Sequence, residues 1–245
     1  MNFTDVRLLD DDVLERRFVL DDVPGMLWTR GDAPAPLLLV GHPGGLDAMY
    51  PRIAGRARFY VARHGFAAAA VELPGSGDRP RIPALEEARG ELRRAMAAGE
   101  SIDAIVDALV LPLVDRAVPE WQRVLDALLA LPGVDGPVGI EGGVFAAGIR
   151  MALVEPRVGA ALLYAGSFVP AAIRDEARQV AVPVQVLLQW DDAGGNRQEA
   201  LDVFDALGSA EKSLHANLGG HTGVPAHELD SGAAFFDRHL RGSAR

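Results

Sequence analysis

A histidine in a glycine-rich turn is the first residue whose type suits catalysis. His221 follows Gly219 and Gly220 and precedes Thr222 and Gly223, a turn that favours an exposed imidazole. Because an unperturbed imidazole has a pKa of about 6.5, it can both take up and return a proton near neutral pH. The turn therefore predicts an acid/base residue at position 221, with an ordinary surface histidine as the plainer alternative.

Two aspartates follow an apolar stretch and could orient such a histidine. Asp191 and Asp192 come directly after residues 182–189, which have the composition of a buried strand. A carboxylate bonded to one imidazole nitrogen fixes the tautomer and leaves the other nitrogen for proton transfer. Either aspartate fits this role, and the alternative for both is a cap at the start of a helix.

The elements that must position these residues alternate between strand and helix. Residues 14–20 and 25–30 predict two antiparallel strands, and the apolar segments that follow predict strands buried on both faces. Helical spacing separates them, as in residues 47–64, 118–131 and 224–240. The predicted buried strands are residues 36–41, 66–73, 136–141, 158–164, 182–189 and 212–217. We expect a single α/β domain over residues 1–245, with a mostly parallel sheet covered by helices and ligands bound at the carboxyl ends of its strands.

One stretch contains more helices than the simple alternation of strand and helix requires. Residues 84–98 and 101–114 have helical apolar spacing between the strand at 66–73 and the next sheet element, and we interpret residues 84–114 as an inserted helical pair. The insertion leaves the sheet at its carboxyl edge, so it could roof a site there as a lid. The alternative is that it packs on the side of the sheet and only shields the core.

Composition narrows the classes of function. The chain has 245 residues, of which 49% are hydrophobic and 24% charged, a balance typical of a globular protein. A net charge of −10 without basic clusters argues against nucleic acid or an anionic membrane as partner. No apolar run reaches the length of about 18 residues that a membrane helix needs, and residues 1–6 do not resemble a secretion signal, so we expect a cytoplasmic protein. The absence of cysteine excludes disulfides and thiolate zinc sites, and we expect neither a metal nor another cofactor.

The order of motifs resembles the α/β-hydrolase superfamily over nearly the whole chain. Residues 41–45, Gly-His-Pro-Gly-Gly, follow a buried strand where that family carries an HGGG-like oxyanion loop, and residues 74–80 resemble its PGxGD turn. The acid and the histidine come after the last two strands, at 189–192 and 215–221, in the family's order. Only about twenty residues separate the strands at 158–164 and 182–189, which resembles the dienelactone-hydrolase-like and esterase-like branch.

The resemblance implies roles for particular residues. His221 would be the catalytic histidine, and the family pattern D-x-x-V places the acid at Asp192 rather than at Asp191. Gly44 and Gly45 would offer N–H groups to an oxyanion, and His42 more plausibly orients that loop than reacts. Pro43 removes one N–H group from it. The implied partner is a small-molecule substrate.

The nucleophile departs from the family pattern. The family expects G-x-S-x-G in a sharp strand-to-helix turn, yet residues 136–148 contain no Ser, Thr or Cys. Matching the glycines places Glu141 at the nucleophile, whereas counting back from residues 155–157 places Gly142 there. Gly142 and Gly143 keep the turn permissive in either register. Ser76 and Ser167 follow strand ends, but neither lies in such a turn, so each is a poor substitute.

Three functions remain open at this point. The first is an enzyme that uses His221, Asp192 and the oxyanion loop for acid/base chemistry, such as elimination, cyclisation, C–C bond change or water attack, without an acyl-serine; natural-product tailoring is one setting for such chemistry. The second is a hydrolase in which Glu141 attacks carbon or activates water, although the plainer interpretation of Glu141 is a strand-end carboxylate paired with Arg or His. The third is a non-catalytic protein that binds a ligand or forms a homodimer.

Overall fold

The fold is described from a computed structural model that covers residues 1–31, 33–164, 168–193 and 195–242. These residues form a nine-stranded sheet in the order β1-β2-β3-β5-β4-β6-β7-β8-β9. Its strands are β1 (Asn2–Leu8), β2 (Leu14–Leu20), β3 (Val23–Thr29), β4 (Ala35–Gly41), β5 (Ala67–Val71), β6 (Val134–Gly142), β7 (Val158–Tyr164), β8 (Val184–Gln189) and β9 (Lys212–Asn217).

The sheet is antiparallel at one end and parallel through the rest. β1, β2 and β3 pair antiparallel, β3 pairs antiparallel with β5, and β4 to β9 run parallel. The helices are α1 (Leu46–Arg58), α2 (Pro83–Ala98), α3 (Asp103–Leu129), α4 (Phe145–Val154), α5 (Ala171–Ala177), α6 (Arg197–Ala206) and α7 (His227–Leu240). The predicted mostly parallel sheet with helices on both faces is confirmed, and carboxyl ends of the parallel strands meet along one edge.

Apolar side chains cover both faces of the sheet. On one face the largest buried cluster joins the strands to α3, α4, α5 and α6. On the other face, α1 packs over β3, β4 and β5, and α7 packs over the centre of the sheet through Phe236, which contacts Tyr60 and Phe66 edge to face. The central parallel strands are therefore buried on both faces, which explains their nearly continuous apolar sequences, whereas β9 at the edge of the sheet is only partly buried.

Two features differ from the sequence-based expectation. The helices predicted at 101–114 and 118–131 form one continuous helix, α3, although Pro112 and Pro119 lie inside it. Residues along the whole apolar face of α3 belong to the largest core cluster. Their packing offsets the loss of helix stability that the two prolines cause. β1 was not predicted, because a strand exposed on both faces lacks the apolar signature of a buried one.

The first predicted long helix, at 47–64, is α1 followed by a single π-helical turn at Phe59–Arg63, and the chain leaves it at Gly65 with a left-handed φ of 64°. Within the described residues, no helix combines the length and apolarity that crossing a bilayer requires.

Candidate active site

A histidine–carboxylate pair lies at the carboxyl edge of the sheet. Nδ1 of His221 is 2.7 Å from Oδ2 of Asp192. Asp192 follows β8 and His221 follows β9, so two adjacent parallel strands deliver them to the same edge. With Nδ1 bonded to the carboxylate, Nε2 is the nitrogen that can exchange a proton with a substrate.

Backbone hydrogen bonds join the two loops that carry this pair. The Trp190 N–H donates to the Asn217 carbonyl at 2.7 Å, and the Asp191 N–H donates to the Gly219 carbonyl at 3.2 Å. Asp191 thus contributes through its backbone, whereas Asp192 supplies the carboxylate that contacts His221. The Asp192 side chain is 13% exposed and that of His221 is 74% exposed, so the pair has a shielded acid and an open imidazole.

The turn after β6 consists of backbone alone. β6 ends at Gly142 and α4 begins at Phe145, and both Gly142 and Gly143 have left-handed φ angles, 66° and 93°. A Cβ on Gly142 would lie 2.8 Å from Nη1 of Arg56, and a Cβ on Gly143 would lie 2.7 Å from Cα of Gly41. Both distances are too short for a real side chain, so the tip of the turn accepts only glycine in this backbone arrangement.

Glu141 lies inside β6 and not at the tip of the turn. Its side chain is 0% exposed. Oε2 accepts from Nη1 of Arg56 at 2.6 Å, and Oε1 accepts from the Tyr164 hydroxyl. Burial lowers the pKa of Arg56, but the charges and hydrogen bonds of Glu141 and Tyr164 together outweigh burial and raise it. Burial and then the Glu141 charge raise the pKa of Tyr164, which keeps the phenol a donor.

Arg56 also connects this cluster to the predicted oxyanion loop. Its Nη2 donates to the Gly41 carbonyl at 2.6 Å. α1 therefore reaches back over the sheet and holds the end of β4 beside the end of β6. The sequence carried no signal for this role, because Arg56 is 85 residues from Glu141 along the chain.

His42 anchors the predicted oxyanion loop to the end of β5. The imidazole is buried, with Nε2 3.0 Å from the Val71 carbonyl. Burial lowers the pKa of His42, so the ring is neutral and orients the loop. Gly44 and Gly45 follow, and Gly45 caps α1 with extended backbone. The loop thus ends at the positive end of a helix dipole, where an anion is stabilised.

Glu72 is a buried carboxylate at this loop that sequence reasoning did not select. Both of its oxygens accept from the Leu46 N–H at the start of α1, at 3.1 and 3.0 Å. Burial raises the pKa of Glu72. A Cβ on Gly77 would lie 2.3 Å from Oε2, so this glycine lets the turn at 74–80 close over the carboxylate. The available signal was a single charged residue at the end of an apolar strand.

Arg79 connects that turn to α3. Its Nη1 and Nη2 donate to the two Glu120 oxygens at 2.7 and 2.8 Å, and both side chains are largely buried. Nη1 also donates to the Glu72 carbonyl. α3 is therefore attached to the carboxyl edge of the sheet by a two-pronged ion pair.

Three further residues were considered at the sequence level. Ser76 is buried in the turn after β5. Ser167 lies outside the described residues. Trp190 is partly exposed beside Asp192, and the Arg197 guanidinium stacks on its ring at 4.2 Å, which provides a flat wall next to the histidine–carboxylate pair.

Comparison with known proteins finds similarity among solved structures only. No protein-family model and no curated protein matches the chain. Among solved structures, a cold-adapted esterase from an Arctic intertidal metagenomic library is 28% identical, with a TM-score of 0.69 over 98% of this chain and 100% of that chain.

Two further neighbours share the fold at lower identity. TT1662 from Thermus thermophilus is 18% identical, with a TM-score of 0.70 over 95% of this chain and 99% of that chain. A putative dienelactone hydrolase from Klebsiella pneumoniae is 18% identical, with a TM-score of 0.63 over 89% of this chain and 90% of that chain. The predicted resemblance to esterases and dienelactone-hydrolase-like proteins is thus confirmed at the level of the fold.

Proposed function

We propose that this chain, which has the α/β-hydrolase fold, is an enzyme that acts on a small organic molecule by proton transfer at His221. Asp192 would hold the imidazole, and the loop at Gly44 and Gly45 would stabilise negative charge that develops on an oxygen of the substrate. The reaction would proceed without an acyl-serine intermediate. Elimination, cyclisation, C–C bond change and attack by water are the reaction classes that such a site can serve.

One observation carries this proposal: the turn that would hold the nucleophile excludes a side chain. Gly142 is blocked by Arg56 and Gly143 by the backbone of Gly41. Residues 136–148 also contain no hydroxyl or thiol. An acyl-serine, acyl-threonine or acyl-cysteine intermediate therefore has no atom on which to form within this segment.

The proton chemistry follows from the geometry of the pair. Asp192 accepts the Nδ1 hydrogen of His221, so Nε2 is the base that removes a proton from the substrate or from water. The imidazolium that forms is stabilised by the adjacent carboxylate and can return the proton to a leaving atom. The Leu46 N–H at the start of α1 already donates to Glu72, so the N–H groups of Gly44 and Gly45 are the donors that would stabilise negative charge on the substrate.

The contacts of Glu141 favour this proposal over a hydrolase that uses Glu141 as nucleophile. Both carboxylate oxygens are engaged, one by Arg56 and one by Tyr164, and the side chain is fully buried. A carboxylate held in this way is a poor nucleophile, because attack would break a buried ion pair.

A substrate screen followed by two substitutions tests the proposal. Small esters, lactones and epoxides are offered first, and kcat is then measured for His221→Ala and Asp192→Asn. We expect kcat to fall by at least about 100-fold in His221→Ala, the usual contribution of a general acid/base. His64→Ala is the matched control, since His64 lies 3.9 Å from Asp237 in a second histidine–aspartate pair at the far side of the molecule. Undiminished turnover of His221→Ala would refute the proposal.

A further inference from the structure

The edge strand β1 is exposed to solvent on both faces. β1 forms one edge of the sheet and pairs on its inner side with β2. Apart from the half-buried Asp5, every residue of β1 is exposed. Its outward N–H and C=O groups have no strand partner among the described residues, and such an edge is a template for pairing with another strand.

One face of β1 is apolar. Val6 and Leu8 are 55% and 72% exposed. A bulge between Phe3 and Asp5 brings Phe3 to the same face, because Arg16 lies directly opposite Val6 and its guanidinium stacks on the Phe3 ring at 4.9 Å. These three side chains are three of the seven large hydrophobic residues exposed in the described part of the chain.

The other face of β1 carries one charge of each sign. Nε of Arg7 lies 2.7 Å from Oδ2 of Asp5, two residues apart on the same side of the strand. Both side chains are exposed enough to exchange partners. An acidic and a basic residue at this spacing are complementary to the same strand running in the opposite direction.

We propose that β1 pairs antiparallel with β1 of a second copy of this chain, about a two-fold axis centred on Val6. The two sheets would then be continuous, and the surface would be self-complementary, as a two-fold dimer requires. Asp5 would lie opposite Arg7 of the second copy, and Arg7 opposite its Asp5. Val6 would lie opposite Val6, which joins the two apolar faces.

Charge selects this register over its neighbours. A symmetric antiparallel pair must be centred on a residue, because residues directly opposite each other point to the same face of the sheet, whereas successive residues of one strand point to opposite faces. Centring on Asp5 would place two aspartates opposite each other, and centring on Arg7 would place two arginines opposite each other. Like charges directly opposite destabilise a strand pair, so the register centred on Val6 is the one that places opposite charges together.

The other edge of the sheet does not offer the same surface. β9 directs Ser213, His215 and Asn217 to the face of α7, where His215 and Asn217 both bond to Glu228. Lys212 donates to three backbone carbonyls at the end of α6. These side chains are polar and already engaged, so β9 lacks the exposed apolar face that β1 presents.

Charge reversal combined with sedimentation equilibrium tests the proposal. We expect the wild-type chain to populate a dimer as its concentration rises to about 200 µM. Asp5→Arg alone and Arg7→Asp alone each place like charges opposite each other and should remain monomeric. The double variant Asp5→Arg/Arg7→Asp restores opposite charges, keeps the net charge of the wild type, and should dimerise again.

An equimolar mixture of the two single variants sharpens the test. One of these proteins carries arginine at both positions 5 and 7 and the other carries aspartate at both, so every facing pair in the mixed dimer has opposite charges. Two proteins that are monomeric alone should therefore form a heterodimer. Circular dichroism and the thermal midpoint of each variant show that the fold is intact.

Three results would overturn the proposal. The first is a wild type that stays monomeric over the whole concentration range. The second is a dimer that survives both single reversals, and the third is a double variant that stays monomeric.

Discussion

Glu141 and Arg56 show how a buried charge pair sets the conformation of the turn beside it. The carboxylate is fully buried, its partner guanidinium is nearly so, and the same guanidinium holds the Gly41 carbonyl. Arg56 occupies the space into which a side chain at Gly142 would project. The pair therefore fixes the turn and at the same time closes it to a nucleophile.

Removing this carboxylate should destabilise the protein strongly. Glu141→Gln leaves the Arg56 guanidinium buried without a counter-charge, and we expect the free energy of unfolding to fall by about 3–5 kcal/mol. Urea denaturation measures the change. Glu86→Gln, which removes one partner of the exposed Arg89–Glu86 pair, is the control and should cost less than about 0.5 kcal/mol. Equal costs for the two variants would contradict the structural role of Glu141.

Glu72 should make stability fall as the pH rises. Burial raises the pKa of Glu72 in the folded chain above its ordinary value of 4.5. Between pH 4.5 and that raised pKa, the folded chain keeps a proton that the unfolded chain has released. Over that window the wild type loses stability with increasing pH, whereas Glu72→Gln does not titrate there. The stability of the wild type relative to the variant should therefore decrease as the pH rises from about 4.5 through the raised pKa of Glu72.

Urea denaturation of both proteins across that range provides the measurement. Glu100→Gln, a change of the same kind at an exposed residue, serves as the control and should show no comparable trend. A difference that stays constant, or that grows with pH, would show that the Glu72 carboxylate is not disfavoured by burial.

The sequence was sufficient to predict the contact between His221 and Asp192, but not the contacts of Arg56 and Glu72. His221 and Asp192 could be predicted because each follows a strand end, and adjacent parallel strands bring their ends together. Arg56 and Glu72 could not be assigned a role, because their partners are fixed by the packing of α1 on the sheet and not by local sequence. Whether His221 and Asp192 act in catalysis remains a prediction.

At the scale of elements, α3 depends on its attachment to the turn that follows β5. Arg79 binds both Glu120 oxygens and also the Glu72 carbonyl. This holds the part of α3 around Glu120 against the carboxyl edge of the sheet, beyond the predicted insertion at 84–114. Movement of that insertion as a lid stays a prediction.

Replacing the Arg79 guanidinium by a lysine ammonium should destabilise the turn at 74–80. Arg79→Lys keeps the charge but loses the two-pronged contact, and we expect the free energy of unfolding to fall by about 1–2 kcal/mol. Hydrogen exchange of the backbone amides of residues 75–79 should become faster. Arg89→Lys, in an exposed pair three residues apart, is the control and should leave both quantities unchanged. Unchanged exchange in Arg79→Lys would show that the turn is held by other contacts.

The boundaries of β7 and β9 were predictable from the sequence, whereas those of α3 and β1 were not. β7 and β9 begin and end at the predicted residues, 158–164 and 212–217. The sequence predicted two helices where the structure has the single helix α3. Local helix propensity is low at its prolines and does not include the stabilisation that the continuous apolar face gains by packing on the core. β1 was missed because its side chains contact solvent on both faces.

At the scale of the whole molecule, the alternation of strand and helix was enough to predict the fold. The parallel sheet from β4 to β9, covered on both faces, follows from apolar strands separated by helical spacing. The similarity to esterases over 98% of the chain is consistent with that architecture. The fold alone does not determine the chemistry, which depends on the turn after β6.

Mass spectrometry of the intact protein, quenched with acid during steady-state turnover of an ester or lactone substrate, shows whether a covalent intermediate forms. We expect the protein to retain its unmodified mass throughout, and His221→Ala to have lost turnover. A mass increase equal to the acyl group, mapped by digestion to Glu141, Ser76 or Ser167, would contradict it.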